Sequence, residues 1–187
     1  MIAKKIAIPA FIFLCLAQLY VSGGMILRNE AVIRTGEVIN LRTAPIDPSD
    51  PLRGKYITLN FSDIYLTVPD ASLWQYNDVA YLTFRIDTAG FHIPSQLSST
   101  IPPASGTYLA VKIQSIINTQ DEQAVYFDYP FDRFYLEESK APQAEEKYRE
   151  ALTDPSVVTY ARIYVQEGKG VVDNVYIGER SIIDVFD

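Results

Sequence analysis

Apolar positions along the chain follow two different rhythms. Residues 6–27 form a run of 22 positions without a single charge, rich in Ile, Leu, Phe and Val and preceded by Lys4 and Lys5. As a helix rising 1.5 Å per residue, that run spans the ~30 Å hydrocarbon core of a bilayer. Pro9 falls in its first turn, where a missing N–H costs little. Residues 28–36 then set Ala31, Val32 and Ile33 among Arg28, Glu30 and Arg34, which predicts a helical stalk stopped by Gly36 at the C′ position.

Past Gly36 the rhythm becomes alternation, the mark of strands with one buried face. It predicts strands over 37–43, 55–61, 64–68, 79–86, 107–117, 123–128, 157–166 and 171–177, with a last short one over 181–185. In 55–61 Tyr56, Thr58 and Asn60 share one face, while Ile57, Leu59 and Phe61 share the other. Residues 118–122 and 167–170 read as hairpin turns, and 71–78, with the only tryptophan, as a short helical turn or loop. Residues 87–106 contain Gly90, Pro94, Pro102, Pro103 and several serines, and read as one long loop. A single short helix starts at Pro142 and runs to Leu152, with Glu145 and Arg149 at helix-pair spacing. About eight strands with no strand–helix repetition predict a mainly β fold: an antiparallel β-barrel or sandwich-like domain with one short helix, behind an N-terminal transmembrane helix.

The layout expected is a basic start over 1–5, an anchor over 6–27, a stalk over 28–36 and a β-rich domain over 37–187. A cleaved signal peptide is the competing reading of the N-terminus, with Val21-Ser22-Gly23 as a weak cleavage site. Either way Lys4 and Lys5 stay inside and the domain lies outside the cytoplasm. The net charge is −7, and beyond Lys5 the chain has 14 basic against 23 acidic residues. That balance disfavours nucleic acid and anionic membrane surfaces, both of which need clustered positive charge. Cys15 is the sole cysteine and His92 the sole histidine, so neither a disulfide within the chain nor a Cys- or His-based metal site is expected. No phosphate-cradling glycine loop is present, and no cofactor is expected.

Residues 45–61 hold the densest concentration of backbone restriction and charge. Pro45, Pro48 and Pro51 stiffen the loop, Asp47, Asp50 and Arg53 can pin it by charge, and Gly54 releases the chain into a strand. The run Gly54-Lys55-Tyr56-Ile57-Thr58-Leu59-Asn60-Phe61 resembles the motif of the GDYXXLXY family of bacterial membrane-anchored proteins. Gly54, Tyr56 and Leu59 keep the motif spacing; Lys55 stands at its aspartate and Phe61 at its last tyrosine. Arg133-Phe134-Tyr135 resembles a second, aromatic stretch of the same family. The resemblance implies a retained anchor in the cytoplasmic membrane and the company of multi-span membrane proteins, but no particular reaction.

Three functions follow as expectations. The first is an accessory or interaction domain for a membrane partner, with 47–61 as a stiff, charge-pinned loop. The second is a Ser-Lys hydrolase resembling signal peptidase, in which Lys55 deprotonates Ser49 or Ser62. No nucleophile elbow supports it, and the family's acidic residue at position 55 opposes it. The third is a small-ligand binder whose pocket is lined by Trp74, Tyr76, Phe131, Phe134 and Tyr135. Asp47 and Asp50 as cation ligands are outweighed by their ordinary use as turn residues.

Overall fold

The computed structural model describes residues 2–45, 56–103, 106–137 and 139–184, with side chains from residue 8 onward. Helix α1 (Ile2–Thr35) runs unbroken through both the apolar segment and the stalk. Its apolar side chains from Ile8 to Leu27 are exposed and distributed around the whole circumference, as in a helix with no single core-facing stripe. Only near its end does α1 meet the domain, where Val32 is buried. The Gly36 N–H closes on the Val32 carbonyl at 2.8 Å. Gly36 is not in the left-handed conformation of a C′ glycine. What it supplies is close approach: a Cβ there would lie 2.4 Å from the Val32 oxygen and 3.0 Å from that of Val165.

Among the described residues eleven strands follow, in antiparallel pairing. Strands β1 (Glu37–Arg42), β9 (Thr159–Gln166), β10 (Lys169–Ile177) and β11 (Arg180–Ser181) make a four-stranded sheet in the order β1-β9-β10-β11. Strands β3 (Tyr65–Thr67), β4 (Val79–Ile86), β5 (His92–Ser98), β6 (Tyr108–Asn118) and β7 (Gln123–Asp128) make a second sheet in the order β3-β7-β6-β4-β5. This sheet curls until its edge strands β3 and β5 approach each other, a nearly closed barrel. Strands β2 (Tyr56–Thr58) and β8 (Arg133–Tyr135) form a two-stranded ladder. The strict alternation of β9, buried at Thr159, Ala161, Ile163 and Val165 and half-buried between, shows which face meets the core. Helix α2 (Ala141–Thr153) starts with Pro142 in its first turn and packs Ala141, Ala144, Tyr148 and Ala151 inward, a stripe at helical period.

Two expectations need correction. Residues 87–106 are not one loop, because β5 occupies their middle. Pro94, which argued against a strand, sits where the β4–β5 register shifts between Thr83 and Phe84, and β5 is an edge strand that has no ladder hydrogen bond to lose on its outer side. The β9–β10 turn is tighter than four residues: only Glu167 and Gly168 lie between the strands, both with positive φ (48° and 79°), the signature of a primed two-residue hairpin.

Ile163, fully buried in β9, anchors the core, and Ile163→Ala should cost about 2–5 kcal/mol of unfolding free energy in urea titration. Gly36→Ala should cost about 1–3 kcal/mol, because the atoms it meets are backbone and cannot swing aside.

Candidate functional site

The two family-like stretches are far apart in sequence yet pair directly. Tyr56 lies opposite Tyr135, Ile57 opposite Phe134 and Thr58 opposite Arg133. The ladder continues through the Leu59 N–H, which donates to the Asp132 carbonyl at 2.7 Å. Alternation divides this ladder into two faces. Ile57, Leu59, Phe61 and Phe134 are buried, whereas Tyr56 and Arg133 are partly exposed and Tyr135 is 66% exposed. On the open face the Arg133 guanidinium lies 4.8 Å from the Tyr56 ring centre, and Tyr56 meets Tyr135 edge-on at 5.6 Å. Asp47, Asp50, Arg53, Gly54 and Lys55, together with Ser49, lie outside the described residues. The Ser62 hydroxyl donates to the Thr43 carbonyl at 3.3 Å.

Phe61 enters an aromatic cluster with Tyr129 at 4.8 Å and Phe131 at 5.6 Å, and Phe127 packs on Tyr129. Tyr129 donates its hydroxyl to the Asp63 carbonyl, and burial pushes its phenol well above the usual range. A cavity of about 430 Å³ lies here, lined by Leu59, Phe61, Phe131 and their neighbours. The aromatic set expected to share one pocket is instead dispersed. Tyr76 is 78% exposed, Phe134 is in the core, Trp74 packs partly against it, and of that set only Phe131 lines this cavity. Gly170 abuts the same cluster, since a Cβ there would come within 2.5 Å of the Phe131 ring.

A second site was not apparent from sequence: the seam between the two large sheets. The turn between β4 and β5 closes on Asp87, whose Oδ1 accepts the N–H groups of Ala89 and Phe91 at 2.9 Å each. Its Oδ2 pairs with Arg42 of β1 at 2.6 Å, with the carboxylate side chain only 16% exposed. The Phe91 N–H foremost, with Arg42 and Ala89, holds the Asp87 carboxyl below the usual carboxylate range against the opposing pull of burial. The Arg42 guanidinium stacks over Phe91 at 4.4 Å. Phe91 meets Tyr160 edge-on, Tyr160 stacks flat on Tyr176 at 4.8 Å, and Arg162 covers Tyr176. A charge-and-ring chain therefore crosses from the curled sheet onto β1, β9 and β10. The aspartate-to-glycine spacing of Asp87 and Gly90 is the one sequence signal that marks this turn.

Two residues along β1 from Arg42, the Asn40 N–H donates to His92 Nδ1 at 3.2 Å, which places the imidazole proton on Nε2. Desolvation lowers the His92 pKa, with the Asp87 charge opposing. His92 also lines a groove of about 730 Å³ beside the end of α1, together with Glu37, Phe84, Thr107, Tyr108 and Glu167. The Thr107 hydroxyl donates to the Glu37 carboxylate across its rim. Among the described residues, no three His, Cys, Asp or Glu side chains converge as a metal centre requires.

These features define a β-domain carried on an apolar N-terminal helix, its two motif stretches joined as one ladder. Residues 18–175 match the family described as GDYXXLXY protein, and the chain belongs to that family. No curated protein and no solved structure matches it.

The two faces of the ladder respond differently to truncation. Leu59→Ala should cost about 2–5 kcal/mol, whereas Tyr135→Ala should cost less than about 1 kcal/mol, both read from urea midpoints. Asp87 adds a pH dependence. Its folded pKa is depressed, so the stability it contributes is complete above the unfolded value near 3.9 and is lost as pH falls through the folded value. The wild-type urea midpoint should therefore drop more steeply below about pH 4 than that of Asp87→Asn.

Proposed function

We propose that the chain is a single-pass protein of the bacterial cytoplasmic membrane, with its N-terminus inside and its β-domain outside, acting as an accessory domain for a multi-span membrane partner. The observation that carries this reading is the continuity of α1. One unbroken helix, Ile2–Thr35, with exposed apolar sides from Ile8 to Leu27, is gripped by the domain at Val32. From Arg28 to Thr35 it rises about 12 Å, so the domain would sit close above the lipid headgroups. The buried side of the family's motif serves the core, as a scaffold requires. Its open side offers Tyr56, Arg133 and Tyr135, residue types enriched at protein interfaces.

The anchor and its orientation are tested in intact cells, with Cys15→Ser as background and a cysteine at Glu122, in the exposed β6–β7 turn. A membrane-impermeant maleimide should label Glu122→Cys, and the chain should stay with membranes through alkaline carbonate. Release by carbonate, or labelling only after lysis, contradicts the reading. For the partner, a photo-crosslinking residue at Tyr135 should give one discrete adduct with an integral membrane protein, and the same residue at Glu122 should not. Absence of any such adduct argues against an accessory role.

A further inference from the structure

The open seam between β1 and the β4–β5 hairpin is tied by two contacts on successive outward-facing residues of β1. Arg42 reaches Asp87, and Asn40 reaches His92. The backbone groups of residues 40 and 42 point away from β9, because Thr43 is the residue whose N–H bonds the Thr159 carbonyl, while the Arg42 carbonyl accepts from Ser62. No β1–β5 strand ladder backs these ties: the five-stranded sheet ends at β5, and the four-stranded sheet ends at β1.

The second tie depends on one lone pair. Nδ1 accepts the Asn40 N–H only while the imidazole is neutral, since in the imidazolium both nitrogens are donors. A proton at Nδ1 would face the Asn40 N–H donor to donor. We propose that His92 is a proton-binding latch: neutral, it fastens β1 to the β4–β5 hairpin, and protonated, it releases β1 and widens the groove beside α1. The bond lost is Asn40 N–H···Nδ1, and the proton comes from solvent through the groove that His92 lines.

The charges around the latch come from every element that meets it. Asp87, in the same hairpin, favours the imidazolium but is engaged by Arg42 and two backbone N–H groups. Glu37 of β1 and Glu167 of the β9–β10 turn share the groove, and Glu37 is engaged by Thr107. Arg85 neighbours Ile86, the cross-strand partner of His92, and so takes the other face of β4. Burial outweighs the Asp87 charge and lowers the folded-state pKa. The sign follows. With the latched pKa below the released value near 6.5, the closed state is fully favoured above about pH 6.5 and loses ground as pH falls toward the latched value. Asp87 stays ionised through that window, so the first tie holds while the second opens.

Amide hydrogen exchange on the full-length chain in dodecyl maltoside micelles reads the latch directly, with fragmentation resolving residues 37–43. After correction for intrinsic exchange, Asn40 protection should fall between pH 7 and pH 5, by about tenfold for each pKa unit separating the two states. Leu41, which faces β9, should hold its protection. In His92→Gln the side-chain carbonyl can still accept the N–H but cannot titrate, so the fall should vanish. An Asn40 protection independent of pH in the wild type, or an equal fall in His92→Gln, overturns the latch. Should that variant not fold, the wild type suffices: its only histidine gives one Cε1–H resonance, whose midpoint should lie below about 6.5. A midpoint at or above that value also overturns it.

Discussion

The contact on which the architecture turns is the ion pair between Arg42 and Asp87. Strand β1 is the first element after the helix, and pairing with β9 joins it only to the four-stranded sheet. The curled sheet reaches the same strand through Asp87, whose carboxylate is held in place by two N–H groups of its own turn before Arg42 arrives. Pre-organisation of this kind strengthens a salt bridge that would be weak between freely moving side chains. Phe91 then covers the guanidinium, and Tyr160 and Tyr176 extend the contact over two more strands. Elsewhere β6, the middle strand of the curled sheet, is tied to the β9–β10 turn by the Ala110 N–H on the Gly168 carbonyl. These ties, with the Asn40–His92 and Thr107–Glu37 hydrogen bonds, align sheets whose apolar faces alone would allow them to slide.

The family's characteristic residues acquire a physical meaning from the β2–β8 ladder. Leucine and the last aromatic of the motif are core residues, and the tyrosine stands on the open face beside Arg133. A second stretch more than seventy positions downstream completes the ladder, which explains why two separate aromatic segments resemble the same family. Substitution of Phe for Tyr at position 61 fits this arrangement, because the ring is buried among Tyr129 and Phe131. A hydroxyl there would need its own partner.

Much of this was readable from residue order. The apolar run, the alternation of 79–86 and 157–166, and Pro142 at a helix start each reflect a local rule, and each element lies where the rule puts it. Strand β5 was hidden because Pro94 signals a break, and only the pairing partner reveals that this strand is an edge. Strand β8 was hidden because three residues among prolines and aromatics carry no period long enough to count. The seam was hidden for a deeper reason. Arg42, Asp87 and His92 belong to three elements, and nothing local to any of them announces that they meet. Of the motif, Tyr56, Leu59 and Phe61 lie among the described residues: Leu59 and Phe61 in the core, Tyr56 on the open face of the ladder.

A β-domain carried on an apolar helix, with Leu59 and Phe61 of its signature in the core, keeps its shape only if the frame is stitched as described. The most direct measurement is a double-mutant cycle on Arg42→Ala and Asp87→Ala, with urea midpoints taken at pH 7 on the full-length chain. If this pair ties the two sheets, each single substitution should lower the midpoint and the double substitution should lower it little further than the worse single one. Additive losses would mean that the two residues stabilise the fold separately and would contradict the stitched seam.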